Sequence, residues 1–157
     1  MPFIGFARTF RVDEGYLKCP EFWDELNQKY ADLWKTKAPK DDVEKAVLEN
    51  NVGMFAVCVN NGDKDFEYLI AGPYCGGAVP EGMKIVSYPE SDWAVFSAKG
   101  ALPASLQSLN TYVWKSWLPT EGVTRRADVS VDVEYYPMGN LQSDDYECSI
   151  WMPVKNA

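Results

Sequence analysis

The chain has 157 residues, 46% of them hydrophobic and 24% charged, the proportions of one soluble globular domain able to bury its own core. Its formal net charge of −8, from 23 acidic and 15 basic residues, argues against direct nucleic-acid binding, which needs basic patches to neutralise phosphates. Histidine is absent, which excludes Ser-His and Cys-His catalysis, histidine-ligated zinc and a histidine-held haem, and no apolar run is long enough to span a membrane.

Met1 to Arg11 is apolar without a basic region or a small-residue cleavage site, and so reads as a first strand, Phe3 to Phe10, rather than a signal peptide. Residues 19–35, CPEFWDELNQKYADLWK, predict a helix with Pro20 in its first turn and Glu21, Asp24 and Glu25 near the positive end of its dipole. Phe22, Leu26, Tyr30 and Leu33 recur at helical spacing as its buried stripe. DDVEKAVLEN, after Pro39, predicts a shorter second helix. Two apolar runs then flank Asn61-Gly62, a strong hairpin signal. GPYCGGAVPEG is loop; no Gly-Lys-Ser/Thr follows its glycines, so it is not a phosphate loop. The cysteines at 19, 58, 75 and 148 show no C-x-x-C spacing and read as reduced thiols of a cytoplasmic protein.

The second half opens with strands near Lys84 to Tyr88 and Trp93 to Ala98. LPASLQSLNTYVWKSWLP predicts a helix from Pro103 to Pro119, with Leu102, Leu106, Leu109, Val113 and Trp117 as its stripe. Strands at 128–136 and 145–152 close the chain. Both halves thus run strand, helix, hairpin. Pro20 and Pro103, Leu26-Asn27 and Leu109-Asn110, and Trp34 and Trp117 all share an offset of 83 residues. The expectation is one α+β domain, 1–157, built from duplicated β-α-β-β units of about 1–76 and 83–155. Two helices would pack on a mostly antiparallel sheet, leaving a cleft between the halves.

In VSVDVEYYP, residues 129–137, Val129, Val131, Val133 and Tyr135 alternate with Ser130, Asp132, Glu134 and Tyr136. In YECSIWMP, Tyr146, Cys148, Ile150 and Met152 form the apolar side and Glu147, Ser149 and Trp151 the other. Each second side mixes a carboxylate with a large aromatic, so it is either wet sheet or a ligand surface. Chemically that mixture suits an organic cation: a ring contact is worth roughly 0.5–2 kcal/mol, and a carboxylate about 4 Å away adds up to roughly 4 kcal/mol at an effective dielectric near 20. After desolvation, micromolar binding, about −8 kcal/mol, is the natural scale. Among the six tryptophans, Trp23, Trp34, Trp114 and Trp117 each read first as core. One of Trp114 and Trp117 is expected to edge the cleft.

The second half, WAVFSAKGALPASLQSLNTYVWKSWLP with VDVEYYP and YECSIWMPVK, resembles the effector-binding domain of AraC-type transcription regulators, the gyrase-inhibitor-like domain. PEFWDEL and the VGMFAV…FEYLIAG hairpin extend the resemblance over nearly the whole chain. It implies two β-α-β-β units about a pseudo-two-fold axis and a non-enzymatic module that binds lipophilic, cationic drug-like molecules. By that similarity Glu134 is the acidic anchor and Tyr136 lines the pocket. Trp151 is added from alternation, Trp114 and Trp117 from the helix, and Phe55 and Tyr68 by pseudo-symmetry. No metal or cofactor is expected. No helix-turn-helix region precedes the domain, so DNA contact would need a partner domain; a homodimer is left open. The alternatives are a hydrolase of reactive small molecules using Glu134, with Tyr136 or Tyr68 as acid, and a gyrase-inhibitor-like role through an acidic surface.

Overall fold

The computed structural model describes residues 2–60, 64–87, 92–102, 104–113, 115, 124–125, 131–137 and 139–155. The chain is α+β and divides into two compact units, Met1–Ser87 and Tyr88–Ala157.

The first unit contains β1 (Pro2–Arg11), α1 (Gly15–Lys29), α2 (Ala31–Thr36), α3 (Asp42–Glu49), β2 (Phe55–Asn60), β3 (Asp65–Pro73) and β4 (Lys84–Ser87). Its antiparallel strands lie in the order β4-β1-β3-β2. The strand expected to open the second half therefore lies in the first unit and pairs with β1, Ile85 opposite Ile4. The hairpin strands form as expected, while the Asn61-Gly62 turn lies outside the described residues.

Residues directly opposite on antiparallel strands share a face. On one face Phe6 stacks on Tyr30, and Phe10 tilts against Phe22, with centroids 5.7 and 6.1 Å apart. Arg8 lies 4.3 Å over the Phe22 ring and pairs with Glu25 at 2.9 Å. This face carries α1. The other face is equally buried, with Phe3, Val57, Leu69 and Ala71 fully enclosed and Phe3 against Phe55 at 5.1 Å.

α1 begins at Gly15, four residues before the expected start, so Pro20 sits within the helix and the first turn holds no acid. Glu21, Asp24 and Glu25 thus lie too far along to meet the dipole's positive end. The helix also breaks at Tyr30, although the sequence has no Gly or Pro there; its backbone leaves helical dihedrals (φ −107°, ψ 14°) where the ring is buried against Phe6. α3 follows its sequence closely: Asp41 caps it by accepting from the Glu44 backbone N–H at 2.8 Å.

Asn50, buried just after α3, donates to the Ala46 carbonyl and accepts from the Cys75 backbone N–H, both at 2.9 Å. The helix end is thereby tied to the segment leaving β3. That strand comes so close that a Cβ at Gly72 would fall 1.8 Å from the Asn50 carbonyl oxygen.

The second unit contains β5 (Asp92–Lys99), α4 (Ala104–Tyr112), β6 (Thr124–Arg125), β7 (Val131–Tyr135) and β8 (Glu147–Lys155). β8 is central: β5 and β7 flank it, and β6 pairs with its end. Gly100 turns the chain from β5 toward α4 at φ +135°, a region that side chains rarely adopt, and its N–H donates to the Tyr146 carbonyl at 2.8 Å. Ser105 donates its hydroxyl to the Gly100 carbonyl at 3.2 Å. α4 packs across β5 and β8, and Val113, just past it, is fully buried. Pro103 and Pro119, the expected limits of this helix, lie outside the described residues.

Tyr146 enters β8 buried, donating its hydroxyl to the Pro137 carbonyl at 2.8 Å. Burial, with smaller contributions from Cys148 and Tyr135, pushes its pKa from 10.0 up to about 12.

Two outcomes follow. Gly72→Ala forces backbone apart and is expected to destabilise by about 3 kcal/mol, lowering Tm by roughly 6–12 °C for a chain of this size; melting at the wild-type temperature would contradict the close approach. Between the unfolded pKa and about 12 the unfolded chain has released the Tyr146 proton and the folded chain has kept it, so stability falls as pH rises through that window. The loss is at most about 2–3 kcal/mol. Alkaline denaturation of Tyr146→Phe should lack this component; an unchanged slope would contradict it.

Candidate functional site

β7 presents alternate side chains to the two faces of its sheet, and its register on β8 decides which. Val133 faces Trp151, Glu134 faces Ile150 and Tyr135 faces Ser149. Glu134 therefore shares a side with Ile150 and, at two-residue spacing, with Cys148 and Met152, all three buried. β5 extends the same side with Ala94, Phe96 and Ala98, opposite Met152, Ile150 and Cys148. Asp132, also buried, precedes Glu134 on this side.

This is the side on which α4 sits. The Cys148 thiol is pushed up in pKa chiefly by burial; a hydrogen bond with Ser105 at the start of α4 opposes the shift, and the negative charge of Glu134 adds to it. The thiol thus stays protonated at neutral pH and is no nucleophile. The same interactions place Glu134 within electrostatic reach of the floor beneath α4.

Tyr136 follows the strand and donates its hydroxyl to Glu134 Oε2 at 2.5 Å, the short distance of a hydrogen bond to a carboxylate. It fixes the orientation of the carboxyl group. Both residues are only partly buried. The local chemistry is a held negative charge at the margin of an apolar floor.

Trp151 lies on the opposite side. Its indole N–H donates to Ser149 Oγ at 2.9 Å, and its ring meets Tyr135 edge-on at 5.8 Å. The expectation that the mixed sides of the two strands coincide is corrected by the register, which puts even-numbered 134 opposite even-numbered 150. Polarity could not reveal this, because Val133 and Ser149 are buried on the Trp151 side as Ile150 and Met152 are on the other.

Phe55 and Tyr68 of the first unit also part company. Phe55 pairs with Ala71 and packs on Phe3, whereas Tyr68 pairs with Cys58 and Arg8 on the α1 side. The buried Tyr68 hydroxyl accepts the Trp23 indole N–H at 2.8 Å. Trp23, read from sequence as core alone, is thus also a hydrogen-bond donor. Trp114 and Trp117 lie outside the described residues.

Cys148, Phe96 and Ser105 join the Glu134 side without having been singled out in the sequence. Phe96 and Cys148 looked like ordinary apolar positions, and only strand pairing links them to the glutamate. Among the described residues no cluster of three or more metal-binding side chains occurs, and no helix is long and apolar enough to cross a membrane.

The chain matches the family model Cass2, integron-associated effector binding protein, over residues 2–154. No curated protein matches it significantly. Among solved structures it is similar to SAV2435 bound to tetraphenylphosphonium, with TM-score 0.71 and 23% identity over 99% of this chain and 88% of that one. It is also similar to a protein from Staphylococcus aureus MU50 assigned to bacterial transcription regulation, with TM-score 0.68 and 22% identity over 99% and 93% of the two chains. An integron cassette protein from the mobile metagenome of Vibrio cholerae aligns with TM-score 0.65 and 15% identity, over 99% and 90%. These likenesses establish a shared α+β fold. With its family model matched almost end to end, the chain belongs to the Cass2 family of integron-associated effector-binding proteins.

Proposed function

We propose that this effector-binding protein takes a lipophilic cation on the α4 side of its second unit, with Glu134 as the negative anchor. The observation that carries this reading is the Tyr136 hydroxyl held on the Glu134 carboxylate at 2.5 Å, on the side shared with Cys148, Ile150 and Met152. An organic cation needs that combination: apolar surface for its body and an oriented carboxylate for its charge. The similar SAV2435 structure holds tetraphenylphosphonium, a cation with no hydrogen-bond donor, for which a fixed charge and aromatic contact are the available attractions. Phe96, half-buried opposite Ile150, offers a ring on the same side. Trp114 and Trp117 enter as proposed walls on the helical stripe alone, and Trp151 is left to the far face.

The −8 charge favours a route to DNA, if the effector signal reaches it, through a separate DNA-binding domain. We also infer that the two units descend from one β-α-β-β element. A second reading uses the same pair chemically: Glu134 beside a phenol is a base next to an acid, the minimum for hydrolysis of an electrophile. Time-dependent consumption of such a substrate, lost in Glu134→Gln, would favour that reading over binding.

Tryptophan fluorescence titration with tetraphenylphosphonium, against neutral triphenylphosphine oxide, tests the binding proposal. The cation should bind at micromolar levels and the neutral compound far more weakly. Glu134→Gln should lose tenfold or more, about 1.4 kcal/mol, and Tyr136→Phe a few-fold, because it frees the carboxylate's orientation without removing its charge. Equal affinity for both compounds, or an unchanged Glu134→Gln, would refute the anchor.

A further inference from the structure

A separate groove of about 260 Å³ opens in the first unit between the α1–α2 junction and the start of α3. Lys29, Asp32 and Lys40 line it together with Asp41 and Glu44, over an apolar floor of Leu33 and Val43. Residues of both charge signs thus line one small space. Yet the ion pairs among the described residues join none of these five to one another or to any other side chain.

The second observation is Tyr30. Its side chain is 95% buried, lines the groove, and stacks its ring on Phe6, while Lys29 lies 5.5 Å over the ring. Its hydroxyl has no hydrogen-bond partner among the described residues, an uncommon state for a buried polar group. Burial, with the nearby charges of Asp41 and Glu44, raises the phenol's pKa, so it stays a neutral donor and acceptor at physiological pH. A buried hydroxyl without a hydrogen-bond partner among the described residues, set among charges of both signs that form no ion pair there, marks a place completed by a molecule bearing both signs.

We propose that this groove is a second binding site, for a small zwitterion of the amino-acid class. The ammonium end is taken by Glu44, Asp41 and the Tyr30 hydroxyl; the carboxylate end is taken by Lys40 and Lys29. An apolar side chain fits against Leu33 and Val43. This site is independent of the Glu134 anchor, since every residue in it belongs to the first unit.

The test is NMR of the full chain carrying ring-labelled tyrosine and phenylalanine, titrated with L-leucine, and with n-butylamine and butyrate as single-charge controls. L-leucine should move the Tyr30 ring resonances saturably at millimolar concentration or below, and neither control should match it. Glu44→Gln and Lys40→Gln, both at exposed or half-exposed positions that keep the fold, should each weaken binding at least tenfold. Tyr30→Phe, which removes only an unbonded hydroxyl, should weaken it with circular dichroism unchanged, the leucine signal then being read on Phe6. Glu134→Gln should leave leucine binding intact, whatever it does to tetraphenylphosphonium. No saturable shift, equal binding of a single-charge control, or indifference to both charge variants would overturn the proposal.

Discussion

The pairing of Glu134 with Ile150 is the constraint on which the rest of the second unit depends. Side chains alternate with a period of two, so a slip of one residue between β7 and β8 would put Glu134 on the side of Ser149 and Trp151, away from Cys148, Ile150 and α4. Across the two strands the Tyr135 ring meets Trp151 edge-on, and the Gly100 N–H, bonded to the Tyr146 carbonyl, joins the entry of α4 to the entry of β8. Tyr146 adds its own bond to the Pro137 carbonyl, pinning the exit of β7. What reads as a local motif, Glu-x-Tyr, is therefore a product of three connected segments.

That placement sets the electrostatics. A carboxylate at the edge of an apolar floor is costly unless its oxygens are engaged, and Tyr136 engages one of them. The neighbouring Cys148 holds its proton more tightly chiefly through burial, to which the same charge adds. With its proton held, the Cys148 thiol is unsuited to thiolate chemistry. Membership in an effector-binding family accords with the recognition role proposed for this side.

The first unit solves a different problem. Its sheet is apolar on both faces, and its helices are fastened less by their own amphipathicity than by point contacts: Arg8 over Phe22 and onto Glu25, Trp23 onto Tyr68, Asn50 between α3 and the segment after β3. Exposed ion pairs such as Arg8–Glu25 contribute little, roughly 0–1 kcal/mol. The buried amide and indole bonds matter more, because losing one partner strands the other. Where the contacts leave a gap, at the α1–α2 break, a buried hydroxyl and unpaired charges remain.

The sequence by itself determined the α+β class, the order of strand, helix and hairpin in each half, the short helix after Pro39 and the apolar rows of β3 and β8, since these rest on periodicity and local chemistry. Tyr136 beside Glu134 was legible too, being a two-residue relation within one strand. Only the tertiary structure decided that the strand at 84–87 pairs with β1, that the helix breaks at Tyr30, that Phe55 and Tyr68 face opposite ways, and that Trp151 lies across the sheet from Glu134. The last two share one physical reason. Alternation identifies a core face when one side of a strand is wet, and here both sides are buried, so polarity carries no sign. Pairing between distant segments supplies it.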